Sequence, residues 1–428
     1  MNTLGPLLLI VLLVGIALSC GTQTKKEESM QSSLSLAAKD ILGNPQYQAV
    51  SYGGYRMNTR DAQPTVADLM EDMKILHAAG IRILRTYNVH LPHASNVLKA
   101  IRKIKEEDPS FEMYVMLGAW IDCLNAWTDQ EPDHTQESPR NAEEIAKAIS
   151  LSQEYADIVK VIAVGNEAMV HWQAGYWVPP TVILKWVNHL QDKKAAGELS
   201  KDLWITCSDD FSSWGGGDPV YHTEGLVQLM AAVDYVSMHT YPMHNTHYNP
   251  YFWGNTPEEV ALSKEERISL AMDRSLEFAQ DQYDSVRSYM ASLGIDKPIH
   301  IGETGWATVC NDLYGPQGSR ATDEYKEGLF HKRMRDWTNA QNIACFYFEA
   351  FDESWKDGGN PQGSENHFGL FTVEGQAKFA LWDLVDQHAF EGLTRAGNPI
   401  TKTYGGDPAA MLKAAMLPPV NNALVTAQ

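Results

Sequence analysis

Cysteine is scarce in this chain. Five stand among 428 residues and none forms a Cys-x-x-Cys pair, so the sequence offers no pattern for a structural zinc site. Basic residues are short as well: 34 Lys and Arg face 54 Asp and Glu, a formal net charge of −20. Without concentrated cationic side chains a nucleic-acid partner is excluded, because phosphate binding depends on them. Long apolar runs are missing too. The one candidate, Leu7 to Leu18, is shorter than the ~20 residues a membrane-spanning helix needs.

What remains has an ordinary globular composition, 44% hydrophobic and 21% charged, which excludes a disordered or fibrous chain. Twelve Trp and 18 Tyr supply many flat apolar faces, most of them expected in the core and rim. The Leu7–Leu18 run ends in small residues and reads as an export signal over residues 1–19. Ala17-Leu18-Ser19-Cys20-Gly21 resembles a bacterial lipoprotein cleavage box, with Cys20 as the lipidated first residue, although Ala17 stands where Leu is usual and MNTLGP carries no Lys or Arg. Residues 20–43 then form a polar tether whose Lys26-Glu27-Glu28 is similar to surface-export signals of Gram-negative lipoproteins. The expected location is the cell envelope, through a lipid anchor, with an uncleaved signal anchor as the alternative. In an oxidising compartment Cys123, Cys207, Cys310 and Cys345 admit one or two disulfides or four buried thiols, and the pairing stays open.

After the tether, eight β-rich runs alternate with amphipathic helical stretches. They begin near Gln48, Ile81, Glu112, Ile158, Leu203, Val233, Pro298 and Ile343. Alternation of this kind predicts a (β/α)8 TIM barrel as a single α/β catalytic domain over residues 44–391. In the stretch VADLMEDMKILHAAG apolar residues recur at spacings of three and four, and Gly80 marks its end. Pro242 to Glu265, rich in Pro, Asn, Tyr, His and Trp, interrupts the pattern after the sixth run and reads as a rim loop. Residues 392–428 hold several Pro and Gly and should wrap the barrel or trail from it.

Two of the runs end in a carboxylate. Val161 to Glu167 (VIAVGNE) closes the fourth and Pro298 to Trp306 (PIHIGETGW) carries Glu303 at the end of the seventh. Side chains alternate along a strand, so Val161, Ala163, Gly165 and Glu167 share one face, as do Ile299, Ile301 and Glu303. Both acids should therefore converge at the mouth where the loops after the strands build active sites. Such a pair can flank a glycosidic bond, one acid protonating the leaving oxygen while the other attacks the anomeric carbon. That chemistry requires Glu167 to hold its proton near neutral pH while Glu303 stays ionised, and no metal or organic cofactor.

Four ordered stretches carry a family resemblance: Arg85-Thr86-Tyr87-Asn88, Val164-Gly165-Asn166-Glu167, Gly302-Glu303-Thr304-Gly305-Trp306, and FEAFDESWK (348–356) followed by His367-Phe368-Gly369-Leu370-Phe371. Together they resemble glycoside hydrolase family 17, the β-1,3-glucanases. The resemblance implies Glu167 as acid/base, Glu303 as nucleophile, Asn166 as a sugar contact and Tyr241 as a contact to the nucleophile. Tyr87 is read as a sugar contact, and Tyr52 as a weaker one. Trp306 would stack on a glucose ring or anchor its loop. Glu353 and Lys356 would hold sugar hydroxyls or support the site as an ion pair. The implied activity is retaining, endo-acting hydrolysis of laminarin-like β-1,3-glucan. The alternatives are a transglycosylase using the same glutamates and a non-catalytic surface glycan-binding lipoprotein. The Pro242–Glu265 insertion has no obvious counterpart in familiar plant members and leaves the cleft length open.

Overall fold

The computed structural model describes residues 36–426, so the export signal and Cys20 lie outside the described residues. All eight runs form strands: β1 (Gln48–Ser51), β2 (Ile81–Arg85), β3 (Tyr114–Ala119), β4 (Val159–Asn166), β5 (Trp204–Asp210), β6 (Val236–His239), β7 (Ile299–Thr304) and β8 (Cys345–Tyr347). Each pairs in parallel with its neighbour in the chain. Closure comes from β8 on β1, with Ala49 opposite Phe346 and Val50 opposite Tyr347. The result is a (β/α)8 barrel. Its strands are covered on both faces, which is why they read as continuous apolar runs; every residue of β4 from Val159 to Gly165 is buried.

Helix α1 (Val66–Ala78) shows how local chemistry sets the boundaries. The Thr65 hydroxyl accepts from the Asp68 N–H while the Asp68 carboxylate accepts from the Thr65 N–H, a reciprocal cap. The chain leaves through Gly80 at φ +83°, where a side chain would be strained. Leu69, Met73 and Leu76, three and four apart, form its buried face.

The segment after β6 is more ordered than a loop. Pro242 opens a short helix (Pro242–Tyr248), and 3-10 turns at Pro250–Phe252 and Glu258–Ala261 lead into the long helix α2 (Lys264–Ser292). Buried Trp253 fixes the segment by donating to the Ser319 carbonyl at 2.7 Å, and Asn255 exchanges backbone hydrogen bonds with Pro419 and Asn421. The C-terminal residues therefore lie against the barrel. A second anchor is Arg395, whose guanidinium is buried against Asp72 at 3.0 Å and over the Phe351 ring at 3.9 Å. Cys123, Cys207, Cys310 and Cys345 are free, buried thiols.

Candidate active site

Strand β4 delivers Glu167 through an unusual backbone. Gly165 has φ +84°, and a Cβ there would sit 3.0 Å from the Ala168 Cβ. Glu167 itself lies at φ +45°, a left-handed conformation that costs a non-glycine residue about 1–3 kcal/mol and tends to occur where function fixes the geometry. Its N–H donates to the Ser208 carbonyl at 3.0 Å, so the turn is tied to β5. Glu167 Oε1 lies 2.9 Å from His239 Nδ1, and the other ring nitrogen of His239 lies 2.8 Å from Ser208 Oγ. Gln173 donates to Glu167 Oε2 at 3.4 Å.

Glu303, near the end of β7, is buried among donors. Tyr241 donates to Oε1 and Tyr87 to Oε2, each at 2.7 Å. The guanidinium of Arg85, at the end of β2, bonds Glu303 Oε2, the Asn166 side-chain oxygen and the Gly302 carbonyl. Burial alone would raise the Glu303 carboxyl above its ordinary 4.5; the positive field of His239 and Arg85 and the two phenol hydrogen bonds instead hold it at about 2. Burial and the charge on Glu303 push Tyr87 and Tyr241 well above the usual phenol range, so both remain donors. An oxygen of Glu167 and an oxygen of Glu303 lie within 4.8 Å of each other. His239 Nδ1 or Nε2 completes a triad with metal-ligand donor types in the same radius. The guanidinium already bound to Glu303 opposes a cation there.

The pair opens into a cleft of about 1120 Å³ whose lining includes Tyr241, Phe348, Trp172, Tyr248, Tyr251 and Phe278. Asp210, at the end of β5, also lines it; burial and then the charge on Glu167 push its carboxyl up to about 8.

Of the expected site residues, the structure gathers Glu167, Glu303, Asn166, Tyr87 and Tyr241 at the mouth. Tyr52 is not among them. It is fully buried, donates to Asp72 at 2.9 Å and lies beneath Gly54, where a Cβ would fall 2.2 Å from its hydroxyl. Trp306 does not stack on a sugar either; fully buried between Trp253 and Phe330, it donates to the Ala321 carbonyl at 2.9 Å and anchors the loop after β7. Glu353 is buried and accepts from the Tyr55 N–H and the Trp355 indole, both at 3.0 Å. Lys356 pairs with Glu349 at 2.7 Å, with its ammonium 3.8 Å from the Phe348 ring centre. Lys356 also lies 3.7 Å from Glu353, and its ammonium backs Phe348, a wall of the cleft. Two side chains that bond the carboxylate pair were not singled out from the sequence. Arg85 stood inside a quoted motif, and His239 shares strand parity with Tyr241, which was the available signal.

Against known proteins, the BtgE/BtgC glycoside hydrolase domain matches residues 49–369. Among curated relatives, a glucan 1,3-beta-glucosidase of Arthroderma benhamiae is 26% identical over 73% of this chain and 83% of its own length. The putative glucan endo-1,3-beta-glucosidase btgC of Aspergillus niger is 22% identical over 71% of this chain, which spans only 37% of that protein. Among solved structures, an endo-laminarinase from Formosa Hel1_33_131 is 65% identical with a TM-score of 0.89, covering 90% of this chain and 98% of that one. A family 17 β-1,3-glucanosyltransferase from Rhizomucor miehei, 19% identical with a TM-score of 0.53 over 78% of this chain and 96% of its own, shares the fold.

Proposed function

The chain belongs to the BtgE/BtgC glycoside hydrolase family, and from that premise we propose that it cleaves β-1,3-glucan internally with retention of anomeric configuration, Glu303 acting as nucleophile and Glu167 as acid/base. The observation that carries this reading is the carboxylate spacing. One oxygen of each carboxylate lies within 4.8 Å of the other, which accords with the ~5–5.5 Å arrangement of retaining enzymes rather than the ~6.5–9.5 Å spacing of inverting ones. In the first step a Glu303 oxygen bonds to the anomeric carbon, the glycosidic C–O bond breaks, and the Glu167 proton passes to the departing oxygen. In the second, Glu167 takes a proton from water as the water oxygen attacks the same carbon and releases Glu303. Two inversions at one carbon give net retention.

The surroundings favour this division of roles. Glu303, held at about 2 by its donors after burial is outweighed, is fully ionised at neutral pH. His239 fixes Oε1 of Glu167, leaving Oε2 turned toward the Gln173 side of the cleft. The test is the configuration and length of the first products from laminarin, mixed-linkage glucan and cellulose, followed by NMR. Shorter β-anomers from laminarin are expected. An α-anomer would overturn the retaining mechanism, and longer chains at modest substrate concentration would make the protein a transglycosylase.

We also infer that a lipid on Cys20 holds the protein at the cell envelope, on the strength of the apolar run and small-residue box that precede it. Incorporation of a tagged fatty acid, lost in Cys20→Ala, is the expected result; equal labelling of the variant would overturn it.

A further inference from the structure

One aromatic group lies outside the cleft lining. Trp127 is 63% exposed at the tip of the segment after β3, and it stacks on Tyr176 with ring centres 5.2 Å apart and planes 25° from parallel. Trp120 closes the group, 5.2 Å from Tyr176 and 6.1 Å from Trp127. A single exposed aromatic needs no explanation. This one is held in place at a cost: Trp127 has φ +63° and its neighbour Asn125 has φ +65°, left-handed positions where glycine or asparagine would be easier to seat than tryptophan.

The segment is also held by several polar contacts. Buried Asp122 pairs with Arg140 at 3.0 Å, the same guanidinium donates to the Ala126 carbonyl at 2.9 Å, and the Asn125 amide donates to the Glu131 carbonyl at 3.1 Å. The Cys123 N–H donates to the Tyr176 carbonyl at 3.1 Å, so the segments after β3 and β4 are tied together. Tyr176 lies in the segment after β4, the strand that delivers Glu167, and Trp120 directly follows β3, so the group stands on the loop face of the barrel that carries the two carboxylates. The three rings therefore stand at the loop face that carries the acid pair and end outward in an open indole face.

We propose that Trp127, backed by Tyr176 and Trp120, is a carbohydrate-stacking platform that extends the substrate path beyond the cleft and receives a pyranose ring of the glucan on its outer face. The C–H groups on a β-glucose face are weakly positive and match the negative face of an indole. A platform fixed before binding loses little freedom when it is used. The inference rests on the β-glucan reading of the site.

The test is the ratio of kcat/KM on laminarin to that on laminaritriose, because a remote platform acts on long chains. In Trp127→Ala the ratio should fall about tenfold, and in Trp127→Phe, which keeps an aromatic face, by less than about threefold. Thermal unfolding of both variants checks that the segment stays folded. A ratio within about twofold of wild type in a folded Trp127→Ala would overturn the platform. Should the wild-type enzyme cleave another β-glucan instead of laminarin, the linkage assignment fails alone, and the same ratio on that polymer and its trisaccharide decides the platform.

Discussion

The phenols of Tyr87 and Tyr241 should control the acid side of the pH–activity profile. Each donates at 2.7 Å to one oxygen of buried Glu303. A hydrogen bond to a charged group contributes about 1.5–3 kcal/mol, or about 1–2 pKa units, in favour of the ionised form. Glu303 starts at about 2, so Tyr241→Phe should raise it to about 3–4, and removal of both hydroxyls should bring it to its ordinary value or above, where burial dominates. The nucleophile must be ionised, so the acidic fall-off of kcat/KM moves upward in pH with each substitution. Stability follows with a defined sign. A carboxyl depressed from 4.5 to about 2 contributes about 3 kcal/mol that is present above pH 4.5 and lost as pH falls through 2. The double variant should lose most of it and become less stable at neutral pH. Initial rates on dilute laminarin between pH 3 and 8, with urea unfolding at pH 5 and 7, measure both effects. A double variant whose acid limb coincides with that of wild type would refute the reasoning, because it would mean the phenols do not bear on the charged form.

Glu303→Ala should lose nearly all activity and regain part of it in azide, giving a glycosyl azide of opposite configuration because the anion fills the vacated nucleophile site; an unaltered rate in the variant without azide would exclude Glu303. Arg395→Ala leaves buried Asp72 with only Arg56 and Tyr52 as partners, so unfolding in urea should cost at least about 2–3 kcal/mol less while KM is unchanged. Trp306→Phe removes a buried hydrogen bond and leaves a void, so it should lower the melting temperature and leave KM on laminarin alone, whereas a raised KM with unchanged melting would restore Trp306 as a sugar contact.

The barrel was legible because buried parallel strands and amphipathic helices leave opposite signatures, and each of the eight runs contains or borders its strand. The carboxylates were legible for a related reason: an ionisable residue ending an apolar run has to be delivered to the loop face. Parity along a strand gives direction but not depth. Tyr52 follows β1, yet the Gly53-Gly54 backbone passes over its ring and leaves it in the core. Trp306 follows Glu303 closely in sequence, and it is turned inward by the loop it anchors. For Lys356 the sequence supplied a charge without its partner, and the partner is Glu349, a buried acid within the same motif. The arrangement Arg85 makes was hidden for a different reason. A guanidinium bonded to β4 and β7 from the end of β2 depends on barrel closure, which no local pattern records.

That arrangement bears on how the reaction can run in a buried site. Arg85 is almost fully enclosed, and an enclosed guanidinium without a counter-charge is costly. In the proposed mechanism its partner before reaction is ionised Glu303, and Glu167 is the group that delivers a proton to the leaving oxygen. On that mechanism Glu303 would lose its charge on becoming an ester, and in the same step Glu167 would release a proton and become negative. Glu167 lies within the electrostatic reach of Arg85. Hydrolysis of the ester would return a proton to Glu167 and the charge to Glu303. The proposed double displacement thus moves a negative charge between two carboxylates whose oxygens lie within 4.8 Å, inside the field of Arg85 and His239. A transfer that keeps the charge within one field needs little reorganisation as the reaction proceeds, and that is the part the proposed mechanism gives to the buried Arg85 guanidinium.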